Sequence, residues 1–271
     1  MWYGPLFSRF NPARPLALTV AQRLRLGTFR DRVGVDAFER PHYAYCVYHA
    51  ANLASKLGYR EISVIEYGIA GGNGLILLEQ YADEVAVELG ISIQVYGFDT
   101  GTGLPPPVDY RDLPYHWQPG FFQMDEDALR KRLRHAQLII GDIRYTAKTF
   151  VDTCNPAPIA AVIHDLDFYS STRVALEMFN VDEKYRLPRI FCYFDDIIGE
   201  EAELYNDFTG ERLAIAEFNA SGTKKLSPAY HLITREYTKQ WHHQIFLLHD
   251  FEHSRYCDFV SEDNQQLPLK R

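Results

Sequence analysis

The chain has 271 residues, 46% hydrophobic and 24% charged, which suits one α/β-sized domain with a large core. Its net charge of −8 argues against a general nucleic-acid binder, which needs a basic stripe for phosphates, and no run approaches the roughly 20 apolar residues of a membrane span. Four scattered cysteines form no Cys-x-x-Cys pair, which argues against zinc, and with no signal-peptide core in Met1 to Pro15 they fit reduced thiols in a cytoplasmic protein.

Residues 1–40 carry Gly4, Pro5, Pro12, Pro15 and several arginines with weak periodicity. They read as an N-terminal extension with short helices, a lid or the interface of a homodimer. From Pro41 a helical face appears in Tyr43, Val47, Ala50, Ala54 and Leu57 and stops at Gly58. Ile62 to Gly74 then reads as strand, glycine loop and helix start. A β-branched run reaches Glu66, a loop carries Gly68, Gly71, Gly72 and Gly74, and Leu75, Leu78, Tyr81, Val85 and Leu89 mark one helix face.

Ile91–Phe98 is a second strand ending on Asp99, and the proline-rich segment from Thr100 to Asp112 must be a loop. Aromatic residues Tyr110, Tyr115, His116 and Trp117 follow, then a charged helix from Asp125 to about His135. A third strand, Ala136–Ile140, is interrupted by Gly141-Asp142. Ile159–Ile163 runs into His164-Asp165-Leu166-Asp167, and a helix opens at Ser170. Arg189–Phe194 runs into Asp195-Asp196. A helix from Glu200 to Phe218, broken by Gly210, precedes two strands, His231–Tyr237 and Gln244–His249, that should pair antiparallel. The whole predicts a doubly wound, mostly parallel α/β sheet with a C-terminal antiparallel hairpin, residues 41–255, followed by a polar tail, 256–271.

Three ligands compete for the glycine loop. A P-loop needs Gly-Lys-Ser/Thr, and no lysine stands between Lys56 and Lys131. A dinucleotide site wants Gly-x-Gly-x-x-Gly, but Ala70 occupies the second glycine position. A pyrophosphate would also meet Glu66 with no cation nearby in sequence, whereas S-adenosylmethionine is positive at its sulfonium and amino groups, so an acid there favours it. Asp99, 27 residues past Gly72, is placed to accept from two ribose hydroxyls, and Asp142 could accept from an adenine amino group. The plain alternative is that these glycines and acids only turn and cap the chain.

Five motifs now stand in order: Glu66-Tyr67-Gly68-Ile69-Ala70-Gly71-Gly72; Tyr96 to Pro105; Asp165 to Thr172; Phe194-Asp195-Asp196; and Ala216-Glu217-Phe218. Together they resemble class I S-adenosylmethionine-dependent methyltransferases, specifically the macrocin O-methyltransferase family. The resemblance implies a Rossmann-like fold with S-adenosylmethionine among Glu66, Tyr67, Gly68, Gly72, Asp99, Thr100, Asp142, Ile143 and Asp165. It further implies a small-molecule acceptor, such as a natural-product sugar hydroxyl, and a magnesium ion. The sequence departs from the family pattern at Leu166, at Gly101-Thr102-Gly103 and at Asp142.

Carboxylates converging at neighbouring strand ends repel one another unless a hard cation or a shared proton relieves them. By analogy with the family, Asp165, Asp195 and Asp196 are the expected ligands. Asp167 is a ligand, a helix N-cap or the proton acceptor. His116, in the aromatic loop, is the better histidine candidate for a general base, and His164 reads as packed at a strand end. The alternatives are a metal-independent N- or C-methyltransferase, a non-catalytic scaffold of the same fold, and, last, a nicotinamide-dependent oxidoreductase.

Overall fold

Burial on both faces explains the apolar runs of the first strands: parallel strands covered on each side have no polar face to alternate with. The computed structural model describes residues 14–236, 238–261 and 265–266. Two short helices, α1 (Arg14–Arg23) and α2 (Phe29–Val35), precede α3 (Pro41–Lys56), whose buried residues include Tyr43, Val47, Ala50 and Ala54. Then come β1 (Glu61–Tyr67), α4 (Asn73–Leu89), β2 (Ser92–Asp99), α5 (Glu126–Arg132) and β3 (Gln137–Ile140). The second half runs α6 (Ile143–Cys154), β4 (Ile159–His164), α7 (Tyr169–Leu176), β5 (Arg186–Phe194), α8 (Gly210–Ala220), β6 (Lys224–Pro228), α9 (Tyr230–Ile233) and β7 (Ile245–Asp250).

The strands form one seven-stranded sheet in the order β3-β2-β1-β4-β5-β7-β6. β1 to β5 pair in parallel, and β7 lies antiparallel to both β5 and β6. Helix α3 packs against α4 on one face, while α7 packs between α6 and α8 on the other. The chain leaves β1 toward β2 and later returns to place β4 on its other side. That reversal opens a crevice at the carboxyl ends of β1 and β4, where ligands bind in doubly wound sheets.

Three buried charged residues hold the frame. Glu79 on α4 is 1% exposed and accepts the main-chain N–H groups of Arg134, His135 and Ala136, fixing the entry to β3. Arg186 at the start of β5 donates to Asp250 at the end of β7 at 2.6 Å, with both residues buried.

The fold differs from the sequence expectations at three places. Gly210 starts α8 in a left-handed conformation (φ +56°) instead of interrupting a longer helix, and residues 201–203 form a separate 3-10 turn. The partner of β7 is β6, not His231–Tyr237; residues 230–233 form the short helix α9, and Tyr237 lies outside the described residues. β6 is an edge strand in which Leu226 alone is buried, so its lysines and Pro228 hide it from a hydrophobic-pattern search. The third difference is α6, which begins where Gly141-Asp142 ends β3, with Asp142 as its N-cap. Residues 1–13 of the N-terminal extension lie outside the described residues.

Candidate active site

The glycine loop is pressed onto the end of β4. Gly68 has φ +77°, and a Cβ there would stand 1.7 Å from the main-chain oxygen of Asp165, so no side chain fits. Gly72 serves differently: it caps α4 in the left-handed conformation, and a Cβ would meet Leu129 at 2.3 Å. Asp99 ties the loop down. One carboxylate oxygen accepts from the N–H groups of Ile69 (2.8 Å) and Ala70 (3.0 Å), and the other accepts from Gly101 (2.7 Å). The strand-end acid thus fixes the loops after β1 and β2 together.

A cavity of about 310 Å³ opens at this point. Gly68, Asp99, Thr100, Asp142 and Ile143 line it, together with Asp165, Asp167, Asp195, Asp196 and Glu203. Leu104, Pro105, Trp117 and Phe122 form an apolar wall. The Thr100 hydroxyl donates to the Gly103 carbonyl at 2.7 Å, which shapes the loop entering that wall. Asp142 accepts from the Arg144 N–H at 2.8 Å and pairs with its guanidinium, which holds its carboxyl below the usual range.

The wall belongs to the aromatic segment after β2. Leu113, Trp117 and Phe168 form a small apolar cluster joined by Leu104 and Tyr205, separate from the main core. Asp112, fully buried, fastens the segment by accepting from the N–H groups of Val108 and Ser170 at 2.8 Å and from the Ser170 hydroxyl at 2.9 Å. Nothing in local sequence marks Asp112, because its partner Ser170 lies 58 residues away on α7.

Asp165, Asp195 and Asp196 each offer a carboxylate oxygen within 4.8 Å of the others. Asp196 accepts from the Tyr205 hydroxyl and the Asp167 N–H, each at 2.8 Å, and the Tyr193 hydroxyl donates to Asp195. Burial and then the neighbouring carboxylates push the Asp165 and Asp167 carboxyls well up, and Asp196 to about 7. Glu211, fully buried on α8, accepts the Asp196 N–H at 3.0 Å and the Thr172 hydroxyl at 3.3 Å, positioning the turn that carries the acids. Sequence reading missed Glu211, whose position inside a helix gave no sign of a buried role.

Several expected site residues stand behind the cavity. Glu66 is 2% exposed, lies outside the lining and accepts from the Tyr43 hydroxyl at 2.8 Å. Arg40 donates to that same hydroxyl at 3.1 Å, so a cation does stand near Glu66. Burial pushes the Glu66 carboxyl up to about 8, against the opposing pull of Tyr43 and Arg40. The sequence argument assigned Glu66 the charge that meets the ligand; of the acids expected around the donor, Asp99, Asp142 and Asp165 line the cavity and Glu66 does not. Tyr67 is buried against Phe98 and His164. His164 is fully buried and stacked 4.3 Å from Phe194. His116 is half-buried at 4.3 Å from Trp117 and is not a lining residue.

Among solved structures the chain is similar to CalS11, a calicheamicin methyltransferase, at 18% identity and a TM-score of 0.50, covering 88% of this chain and 93% of that one. A second, apo structure of CalS11, described as a TDP-rhamnose 3'-O-methyltransferase, gives 16% identity and a TM-score of 0.45 over 86% and 92%. The plantazolicin methyltransferase BamL, in complex with a triazolic desmethylPZN analog and SAH, gives 10% and 0.38 over 90% and 91%. No protein-family model and no curated protein matches the chain. The likeness to CalS11 is one of fold: this chain has a Rossmann-like fold similar to that methyltransferase's.

Proposed function

We propose that this protein is an O-methyltransferase that moves a methyl group from S-adenosylmethionine to a hydroxyl of a small molecule, assisted by a divalent cation such as Mg2+. The observation that carries the reading is a single cavity lined both by Asp99 and Asp142 and by Asp165, Asp195 and Asp196, whose carboxylates cluster. The five sequence motifs, with their resemblance to the macrocin O-methyltransferase family, support the same reading.

Gly68, Asp99, Thr100, Asp142 and Ile143 would hold the donor. Asp99, already fixed by three main-chain donors, keeps lone pairs for ribose hydroxyls. The acid cluster fits a hard cation: its donors are all carboxylate oxygens, and they lie within 4.8 Å of one another. When bound, the cation would supply a Lewis acid that lowers the pKa of the acceptor hydroxyl. Leu104, Pro105, Trp117 and Phe122 exclude water from the acceptor, and the rigid ends of β4 and β5 orient it. The hydroxyl oxygen attacks the methyl carbon, and the C–S bond breaks with its electron pair passing to sulfur. The hydroxyl proton passes to a carboxylate of the cluster.

The test is transfer of labelled methyl from S-adenosylmethionine across a panel of hydroxyl compounds, with and without chelator. Transfer that stops on chelation and returns with Mg2+ is expected. Transfer that survives exhaustive chelation removes the cation and leaves the metal-independent reading; no transfer to any hydroxyl favours the scaffold reading.

A further inference from the structure

Most carboxylates around the cavity already have an assignment. Asp165, Asp195 and Asp196 form the cation cluster, Asp99 is tied to the loops, and Asp142 is paired with Arg144. Asp167 and Glu203 remain. Asp167 is 7% exposed, lines the cavity, and is held in a left-handed conformation (φ +58°) with its N–H donating to Asp196. Its carboxylate has no hydrogen-bond or ion-pair partner among the described residues. Glu203 reaches the same cavity from the 3-10 turn after β5, with one oxygen accepting from the Glu200 N–H at 2.5 Å.

A nearly buried, unpartnered carboxylate is costly unless something arrives to pair with it. Beside it stands the apolar wall of Leu104, Pro105, Trp117 and Phe122, two of them aromatic. Carboxylates next to aromatic rings suit an organic ammonium, which gains both an ion pair and the negative face of the rings. A diphosphate-bearing acceptor would bring charge of the wrong sign into the same space.

We propose that the methyl acceptor carries an amine as well as the reacting hydroxyl, with its ammonium held between Asp167 and Glu203 and its apolar body against Leu104, Pro105, Trp117 and Phe122. The proposal rests on the methyltransferase reading and names the substrate class that reading leaves open.

The experiment is calorimetric titration of the full chain, loaded with S-adenosylhomocysteine and Mg2+, with 4-nitrophenyl glucosaminide and, separately, its N-acetyl counterpart. The amine is expected to bind at least about ten-fold tighter than the amide, a preference of the size a charge-assisted contact gives. Glu203→Gln and Asp167→Asn should each erase most of that preference, and a thermal melt of each variant checks that it folds. Equal binding, tighter binding of the amide, or no binding of either overturns the proposal. So does uptake of a second Mg2+ equivalent lost in Asp167→Asn. The loading titration reports separately: S-adenosylhomocysteine binding without amine preference overturns the acceptor class alone, whereas failure to load removes the methyltransferase reading itself.

Discussion

Asp99 and Glu66 show how differently two strand-end acids behave. Asp99 faces the cavity and holds two loops through three main-chain donors. Glu66, one strand over, is buried behind the loop with one oxygen on Tyr43 and the other without a partner. Glu66 holds its proton to about pH 8 in the folded chain, against an ordinary value of 4.5. Between those values the folded state binds more protons than the unfolded one, so the Glu66 contribution is full below pH 4.5 and fades as pH rises toward 8. Relative to the intact, ligand-free protein, Glu66→Gln should therefore gain melting temperature as the pH rises from 5 to 8. Identical slopes in the two proteins would show that Glu66 ionises freely. Gly68→Ala is expected to cost several kcal/mol, because the new methyl meets main chain, which cannot yield as a side chain does. A urea melt unchanged by that substitution would contradict the close approach. Asp99 was legible in the sequence because strand end and loop spacing are local features. The surroundings of Glu66 were not, since Tyr43 arrives from a helix that precedes the strand.

Among the elements, legibility followed the local run of apolar residues, which even the half-buried β3 carries. β1, β2, β4 and β5 are rich in apolar residues and were readable. β6, with one buried residue, was not, and a helix rather than a strand occupies 230–233. β7 depends on long-range chemistry: its final residue, Asp250, pairs with Arg186 across the antiparallel β5–β7 ladder. Asp250→Ala leaves Arg186 buried without its counter-charge and should destabilise the protein by about 3–5 kcal/mol in chemical denaturation. Loss of less than about 1 kcal/mol would mean that water replaces the carboxylate there. The aromatic segment after β2 hangs on Asp112 in the same way. Asp112→Ala should expose it to limited proteolysis between Val108 and Gly120 before the rest of the chain is cut. Cleavage at the wild-type rate would show that the Leu113–Trp117–Phe168 cluster alone holds it.

Across the whole molecule, the sheet order carries the functional argument. Placing β4 beside β1 gathers residues from positions 68 to 203 around one cavity, although they span half the chain. The doubly wound class could be read from alternating strand and helix patterns. The convergence of Asp165, Asp195 and Asp196 could be read only once β4 and β5 were taken as neighbours, as they are. Glu203 and Glu211 act through the shape of the assembled site, which no local pattern encodes. Among the described residues no helix is long and apolar enough to cross a membrane.

The central claim is that the loop between β1 and α4, pinned by Asp99, holds a methyl donor. Calorimetric titration of S-adenosylhomocysteine tests it most directly, using the intact protein and Asp99→Ala. Saturable one-to-one binding is expected, weakened about ten- to hundred-fold by Asp99→Ala through loss of the charge-assisted contacts. No binding to the intact protein, or equal binding to both, would contradict the account.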